Sequence, residues 1–159
     1  MPELIKLNTA LKGIVDGIEA AITAEMDQDD EGSTLKDVAT VIRGDKSRPT
    51  PKPPAIWIRP LTATADHAQR SYAEKWQLNV LLLAIIKNTD PEEGYNQATD
   101  LAARARSAVL KDRTLGSRKY VQDVRSASFE MSGPDLRNEA ITAATATIQV
   151  HFVILENNP

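Results

Sequence analysis

The sequence predicts an α+β domain: an antiparallel β-sheet with long strands and two main helices packed on it, in the order α-β-ββ-α-ββ. Three observations carry that prediction. Apolar residues recur at three- and four-residue steps over Pro2–Met26 and again after Pro91, which is helical spacing. Two runs, Glu74–Ile86 and Glu139–Leu155, contain neither Gly nor Pro and alternate in polarity over part of their length. Shorter strand-like segments, bounded by Gly, Pro and Asn, stand between them. All 159 residues are expected to form one domain.

The first helix is read over Pro2–Met26. Leu4, Leu7, Leu11, Ile14, Val15, Ile18, Ile22 and Met26 make its apolar stripe, and Pro2 suits a first turn. Gly13 and Gly17 each cost about 1 kcal/mol relative to Ala inside a helix. Their presence suggests close contact with a neighbouring element. Asp27–Thr34 then reads as an acidic loop and Asp37–Arg43 as a short strand. Gly44–Pro54 is a stiff, Pro-rich strap, which cannot join a central ladder. Ala55–Arg59 is a second short strand, expected to end at Pro60. Leu61–Ala73 is a long polar connection, and the strand Glu74–Ile86 follows as the partner of 55–59 in a hairpin.

Asn88–Glu93 is the clearest local signal. Asp90 fits the N-cap, Pro91 the first helical position, and Glu93 the acid of a capping box. The second helix is expected from Pro91 to about Leu110, with an apolar face of Tyr95, Ala98, Leu101, Ala102, Ala105, Ala108 and Val109. That Ala-rich face lets a helix lie close on a sheet. Gly116 suits the turn beyond it. Tyr120–Met131 is the next strand, Ser132–Asn138 a turn around Gly133-Pro134, and the last strand returns antiparallel.

Composition excludes several function classes. Net charge is −3 and the charged share 26%, so bulk charge gives no case for nucleic-acid binding. There is no Cys, hence no disulfide frame and no thiolate metal site, as in a reducing cytosol. The N-terminal residues lack the basic and apolar regions of a signal peptide. Val80–Ile86, the longest apolar run, falls far short of the ~18 residues of a membrane helix.

The two long runs are the unusual feature. At about 3.3 Å per residue, runs of 13 and 17 residues reach roughly 43 and 56 Å if straight. A compact chain of this size is roughly 40 Å across. Such strands are expected to bend, break or reach toward a neighbouring chain. In Glu74–Ile86 one face carries Trp76, Leu78, Val80, Leu82, Ala84 and Ile86. The other begins polar with Lys75, Gln77 and Asn79, then becomes apolar at Leu81, Leu83 and Ile85. Each of these three would forgo about 1.5–3 kcal/mol if left in water. Either the two helices cover opposite faces of the sheet, or a second subunit covers these residues. Leu81, Leu83 and Ile85 are therefore candidate subunit contacts.

Other motifs weaken on inspection. Asp27–Val38 imitates part of an EF-hand loop, but Val38 stands where the bidentate Glu belongs. Four acids at a helix C-terminus oppose its dipole, which points weakly to a basic partner contacted by Asp29 and Asp30. Arg104, Arg106, Lys111, Arg113, Arg118 and Lys119 form a basic run suited to that role on an adjacent subunit. Of these, Arg104, Arg113, Arg118 and Lys119 join the candidate contacts, with Arg59 and Arg70. His67 lies beside Asp66 and near Ser71, but adjacent positions rarely make a catalytic triad. No phosphate loop, nucleophile elbow or zinc-protease motif occurs. No catalytic residue, metal or cofactor is expected.

The helix LIKLNTALKGIVDGIEAAI, the hairpin PAIWIRPL…EKWQLNVLLLAII, the helix DPEEGYNQATDLAARARSAVL and the closing pair YVQDVRSASFEM and ITAATATIQVHFVI occur in a telling order. Together they resemble the tail-terminator (tail-completion, neck) proteins of tailed bacteriophages, over roughly residues 3 to 155. The resemblance rests on layout, with no signature motif. It implies a non-enzymatic virion protein, assembled in the host cytoplasm, that forms a homohexameric ring. The ring would cap the tail tube and meet the head-completion (connector) proteins, and in contractile tails the sheath. Genomic DNA would pass through its lumen without sequence-specific binding, and no membrane is involved. The strap at 44–54 and the segment at 61–73 would be arms for such contacts. The alternatives are a head–tail adaptor or head-completion protein and, in another class, a small soluble enzyme or ligand-binding domain.

Overall fold

The computed structural model describes residues 5–26, 35, 38, 40–44, 51–65, 73–131 and 141–155. Its elements are α1 (Leu7–Met26), β1 (Thr40–Arg43), β2 (Ala55–Ala65), β3 (Ala73–Lys87), α2 (Pro91–Leu110), β4 (Val121–Glu130) and β5 (Ile141–Leu155). The class is α+β and the order α-β-ββ-α-ββ. The five strands make one sheet in the order β1-β2-β3-β5-β4. Every neighbouring pair is antiparallel except β1 on β2, which is parallel.

The two long runs pair with each other. From Ala73↔Leu155 to Lys87↔Ile141 they form an uninterrupted antiparallel ladder. β2 lies along the other edge of β3, and β4 along the other edge of β5. Both long strands are thus central, and over Trp76–Ile85 of β3 and Thr145–Phe152 of β5 they are flanked on both sides by strands of the same chain. This corrects the expectation that extended backbone is completed by other chains. The sheet edges are instead β1 and β4. β4 carries register shifts at Val121/Asp123 and Ser126/Ser128, and such bulges twist an edge away from strand pairing.

Pro60 does not end its strand. The carbonyl of Ile58 accepts from the Gly44 backbone N–H at 3.1 Å, so the hydrogen-bonding groups of Ile58 face β1. Pro60, two residues on, turns its ring nitrogen to the same side. β1 has stopped there, and the missing N–H leaves no gap in a ladder. β2 therefore runs on to Ala65, with a bulge between Pro60 and Ala63. The first part of the expected 61–73 connection is strand, and residues 66–72 lie outside the described residues.

α2 begins as the sequence indicates. The Asp90 carboxylate accepts from the backbone N–H groups of Glu92 (3.1 Å) and Glu93 (3.4 Å). The capping box is only half formed. Asn88, not Glu93, accepts from the Asp90 N–H (2.9 Å), while the Glu93 side chain meets Gln97 (3.5 Å). Ala98, Leu101, Ala102, Ala105, Ala108 and Val109 are buried. α2 links β3 to β4, with β5 filling the gap between those two strands.

Both helices lie on the same side of the sheet. One core cluster unites Ile14, Ile18 and Ile22 of α1 and the buried face of α2 with Leu78, Val80, Leu82 and Ala84 of β3. Ala144, Ala146, Ile148, Val150, Phe152 and Ile154 of β5 complete it. The helices therefore do not share out the two faces. On the far face a second, smaller cluster gathers Ala55, Trp57, Leu83, Ile85 and Ala143. Trp57 donates through Nε1 to the Gly44 carbonyl (3.1 Å), and the Arg59 guanidinium stacks 3.8 Å from its ring centroid.

The two α1 glycines do allow a close approach. Tyr120 crosses α1 at Gly13, and a Cβ there would land on its hydroxyl. Leu115 and Arg118 pack at Gly17. The turn that delivers them is left-handed at Leu115 (φ 50°), Gly116 (φ 82°) and Ser117 (φ 62°). Asp112 holds it, accepting from the Thr114 hydroxyl (2.6 Å), the Thr114 N–H (2.9 Å) and the Gly116 N–H (2.8 Å).

Two predictions follow from this packing. Gly→Ala inside a helix ordinarily gains about 1 kcal/mol, but overpacking costs about 1–3 kcal/mol. Gly13→Ala should therefore lower the thermal midpoint, and should do so less in a Tyr120→Phe background; equal effects in both would exclude the contact. Leu83 is fully buried, whereas Leu61 is 54% exposed. Leu83→Ala should cost about 2–5 kcal/mol in urea unfolding, and Leu61→Ala within about 0.5 kcal/mol.

Candidate functional site

The sequence-derived candidates do not converge on one place. Asp29, Asp30 and Arg70 lie outside the described residues, as does His67. Leu83 and Ile85 are fully buried within the chain, beside Trp57. Leu81 is half-buried on the same face, paired in register with Arg59.

The basic run is largely engaged within the chain. Arg104 pairs with Asp100 one turn earlier (2.8 Å), and Arg106 donates to the Ser126 hydroxyl (2.9 Å). Lys111 meets Glu25 at the end of α1 (2.8 Å). Arg113 and Arg125 share Asp123 at 3.5 and 2.6 Å. Arg118 donates to the Leu115 carbonyl. Lys119 is exposed. On the opposite edge, Arg43 of β1 pairs with Asp16 of α1 and reaches Glu19 at 3.4 Å. The Arg43 hydrogen bond holds the Asp16 carboxyl below the usual carboxylate range. The Thr114 hydroxyl does the same for Asp112, and Arg125 for Asp123.

The helix-free face changes character along its length. Its upper end is the apolar cluster around Trp57. Farther down, Gln149 donates to Asn79 (3.5 Å), and His151 Nε2 lies 2.8 Å from the Gln149 side-chain oxygen. Asp123 is paired in register with His151. A cleft of about 240 Å³ opens at this end, lined by Thr64, Lys75, Trp76, Gln77, Gln122 and His151. Desolvation, then the nearby Arg125 charge, pushes the His151 pKa below 6.5, with Asp123 opposing.

A second cleft, also about 240 Å³, lies at the upper end on the helix side. Val38, Pro54, Ile86 and Leu101 supply its apolar surface. Gln97, Asp100 and Arg104 of α2 stand at its rim. Two large apolar side chains are conspicuously exposed among the described residues: Leu61 (54%) and Met131 (50%). Leu61 sits in the β2 bulge, where β1 no longer covers the edge. Met131 directly follows β4, the opposite edge. Nothing in sequence spacing separates Met131 from the buried apolar residues of its strand; only its position past the last paired residue does. Among the described residues no group of three or more His, Cys, Asp or Glu could hold a metal. None of the described helices is long and apolar enough to cross a membrane.

No family model and no curated protein matches the chain. A solved structure described as "Virion of native gene transfer agent (GTA) particle" contains a similar chain. The likeness covers 88% of this chain and 97% of that one, at 10% identity and a TM-score of 0.47. Identity and score at that level identify no function.

His151 gives a pH prediction. Its pKa is lower in the fold than in the unfolded chain, so the unfolded state binds the proton more readily. Its contribution to stability is complete above the unfolded pKa near 6.5 and declines as pH falls below it. Urea unfolding between pH 8 and pH 5 should show a shallower loss of stability in His151→Gln than in wild type. Equal pH slopes would mean that the ring is as well solvated folded as unfolded.

Proposed function

We propose that this chain is a structural subunit of a phage-like virion, forming a homo-oligomeric ring of six that caps the tail tube and joins it to the head-completion proteins. The observation that carries the proposal is the placement of exposed apolar side chains on unlike, opposite edges of one sheet. Leu61 marks the β2 side and Met131 the β4 side. Two different patches on opposite sides make a head-to-tail contact, and such contacts close into rings when the rotation permits. The order of elements supports the same reading through the resemblance to tail-terminator proteins. In this proposal genomic DNA passes the lumen without base-specific contacts, and the sheath is a further partner where the tail contracts. A head–tail adaptor or head-completion ring would use the same two edges.

One observation favours a different class. The cleft beside His151 gathers Lys75, Gln77 and Gln122, as a small-ligand site would. At about 240 Å³ it lies below the ~300–1,000 Å³ common for ligand pockets, and that reading ranks second.

Native mass spectrometry of the purified chain, with and without tail tubes, tests the proposal. Six copies of 17.4 kDa make a closed species of about 104 kDa. A chain that remains monomeric in both samples would rule the ring out.

A further inference from the structure

We infer that the cleft between α2 and the start of β2 is the acceptor for Met131 of a second copy, so that this contact joins successive subunits. The inference rests on the ring proposed above and names its interface.

The sheet register places the two partners at the same height. Ala55, next to Pro54, pairs with Ile85, and Ile85 with Ala143. Ile86 pairs with Thr142, and Glu130 with Thr145. Met131 follows Glu130 and so lies within about two residues, roughly 7 Å along the strand, of the cleft wall. Across the sheet, β2 and β4 are three strand spacings apart, about 14 Å. Knob and cleft therefore sit level with each other on opposite sides of one body. A neighbour related by rotation, without a large shift along the strands, brings its Met131 to this chain's cleft.

The chemistry also matches. Leu101, Ile86, Pro54 and Val38 line the cleft with apolar groups, beside the polar Gln97, Asp100 and Arg104. A cleft of about 240 Å³ accepts one long unbranched side chain. Methionine, flexible and polarizable, adapts to irregular gaps. Arg104 and Asp100 neutralise each other in the cleft lining at 2.8 Å, so the match rests on level placement and apolar fit, with no net charge against Glu130. Leu61, the other large apolar side chain exposed among the described residues, lies on the cleft's own side of the sheet, the side opposite Met131.

The absence of Cys from the chain makes a clean test possible. Met131→Cys protein is mixed with Gln97→Cys protein under mild oxidation, and Lys12→Cys on the exposed side of α1 replaces Gln97→Cys as the control. A disulfide needs Cα atoms within about 7 Å, so only a seated Met131 position reports. The mixed dimer should form at least about tenfold faster than the control, because a real contact raises effective concentration. Native mass spectrometry of wild type runs alongside. An oligomeric wild type with no preferential 131–97 link overturns this contact and leaves the ring standing. A preferential 131–131 link also overturns it, because the interface would then be self-complementary. A wild type that stays monomeric with and without tail tubes, with no link above the control, overturns both.

Discussion

The antiparallel ladder between β3 and β5 is the constraint on which the rest of the molecule depends. It runs from Ala73↔Leu155 to Lys87↔Ile141 without a register shift. Each rung contributes only about 0.5–1.5 kcal/mol net, but a buried group left unpaired costs about 1–3 kcal/mol. Two strands of this length at the centre of a sheet need long flanking partners. β2 and β4 supply them, with one bulge in β2 and two in β4 where straight pairing fails. α2 then has to span from the end of β3 to the start of β4 over the strand between them. Its Ala-rich face makes that path possible, because small side chains let it lie close on β5.

Stacking both helices on one side makes the sheet two-faced. The helix side is the main core, with side chains of β3 and β5 alternating into it along their length. Among the described residues, the other side carries the smaller cluster of Trp57, Leu83, Ile85, Ala55 and Ala143. Trp57 is anchored there at both ends of its chemistry, through its indole N–H to Gly44 and through its ring to Arg59. Below that cluster the face turns to amides, hydroxyls and the His151 ring. The outward character of the protein is thus set by a gradient along one sheet face and by the contrast between two edges. The charged side chains contribute less than their number suggests, because many of them close α1, α2, β1 and β4 against one another.

Much of the fold was legible in the residues. The N-cap Asp90 and Pro91 mark the start of α2 through short-range chemistry, and the apolar stripe of α1 follows from helical geometry alone. Gly13 and Gly17 signalled a close neighbour, since nothing else justifies two glycines inside a helix. Pro60 misled because the rule that proline ends strands holds only where its nitrogen faces a partner, and here β1 had already stopped. Glu93 misled because Asn88, two residues before the cap, competed for the same N–H. The candidate surface was far less legible. Arg104, Arg113 and Arg118 look like an available basic run, yet their partners Asp100, Asp123 and the Leu115 carbonyl include groups distant in sequence or hidden in a turn.

The sequence by itself determined the α+β class, the order of elements and the faces that alternate, because those depend on local backbone chemistry and on periods of two and 3.6 residues. Only the tertiary structure decided which strands are central, whether the helices take one face or two, and that Met131 stands exposed while Leu83 is enclosed. Those outcomes depend on pairing between residues far apart in the chain, and the same apolar side chain carries no local mark of which neighbour will cover it.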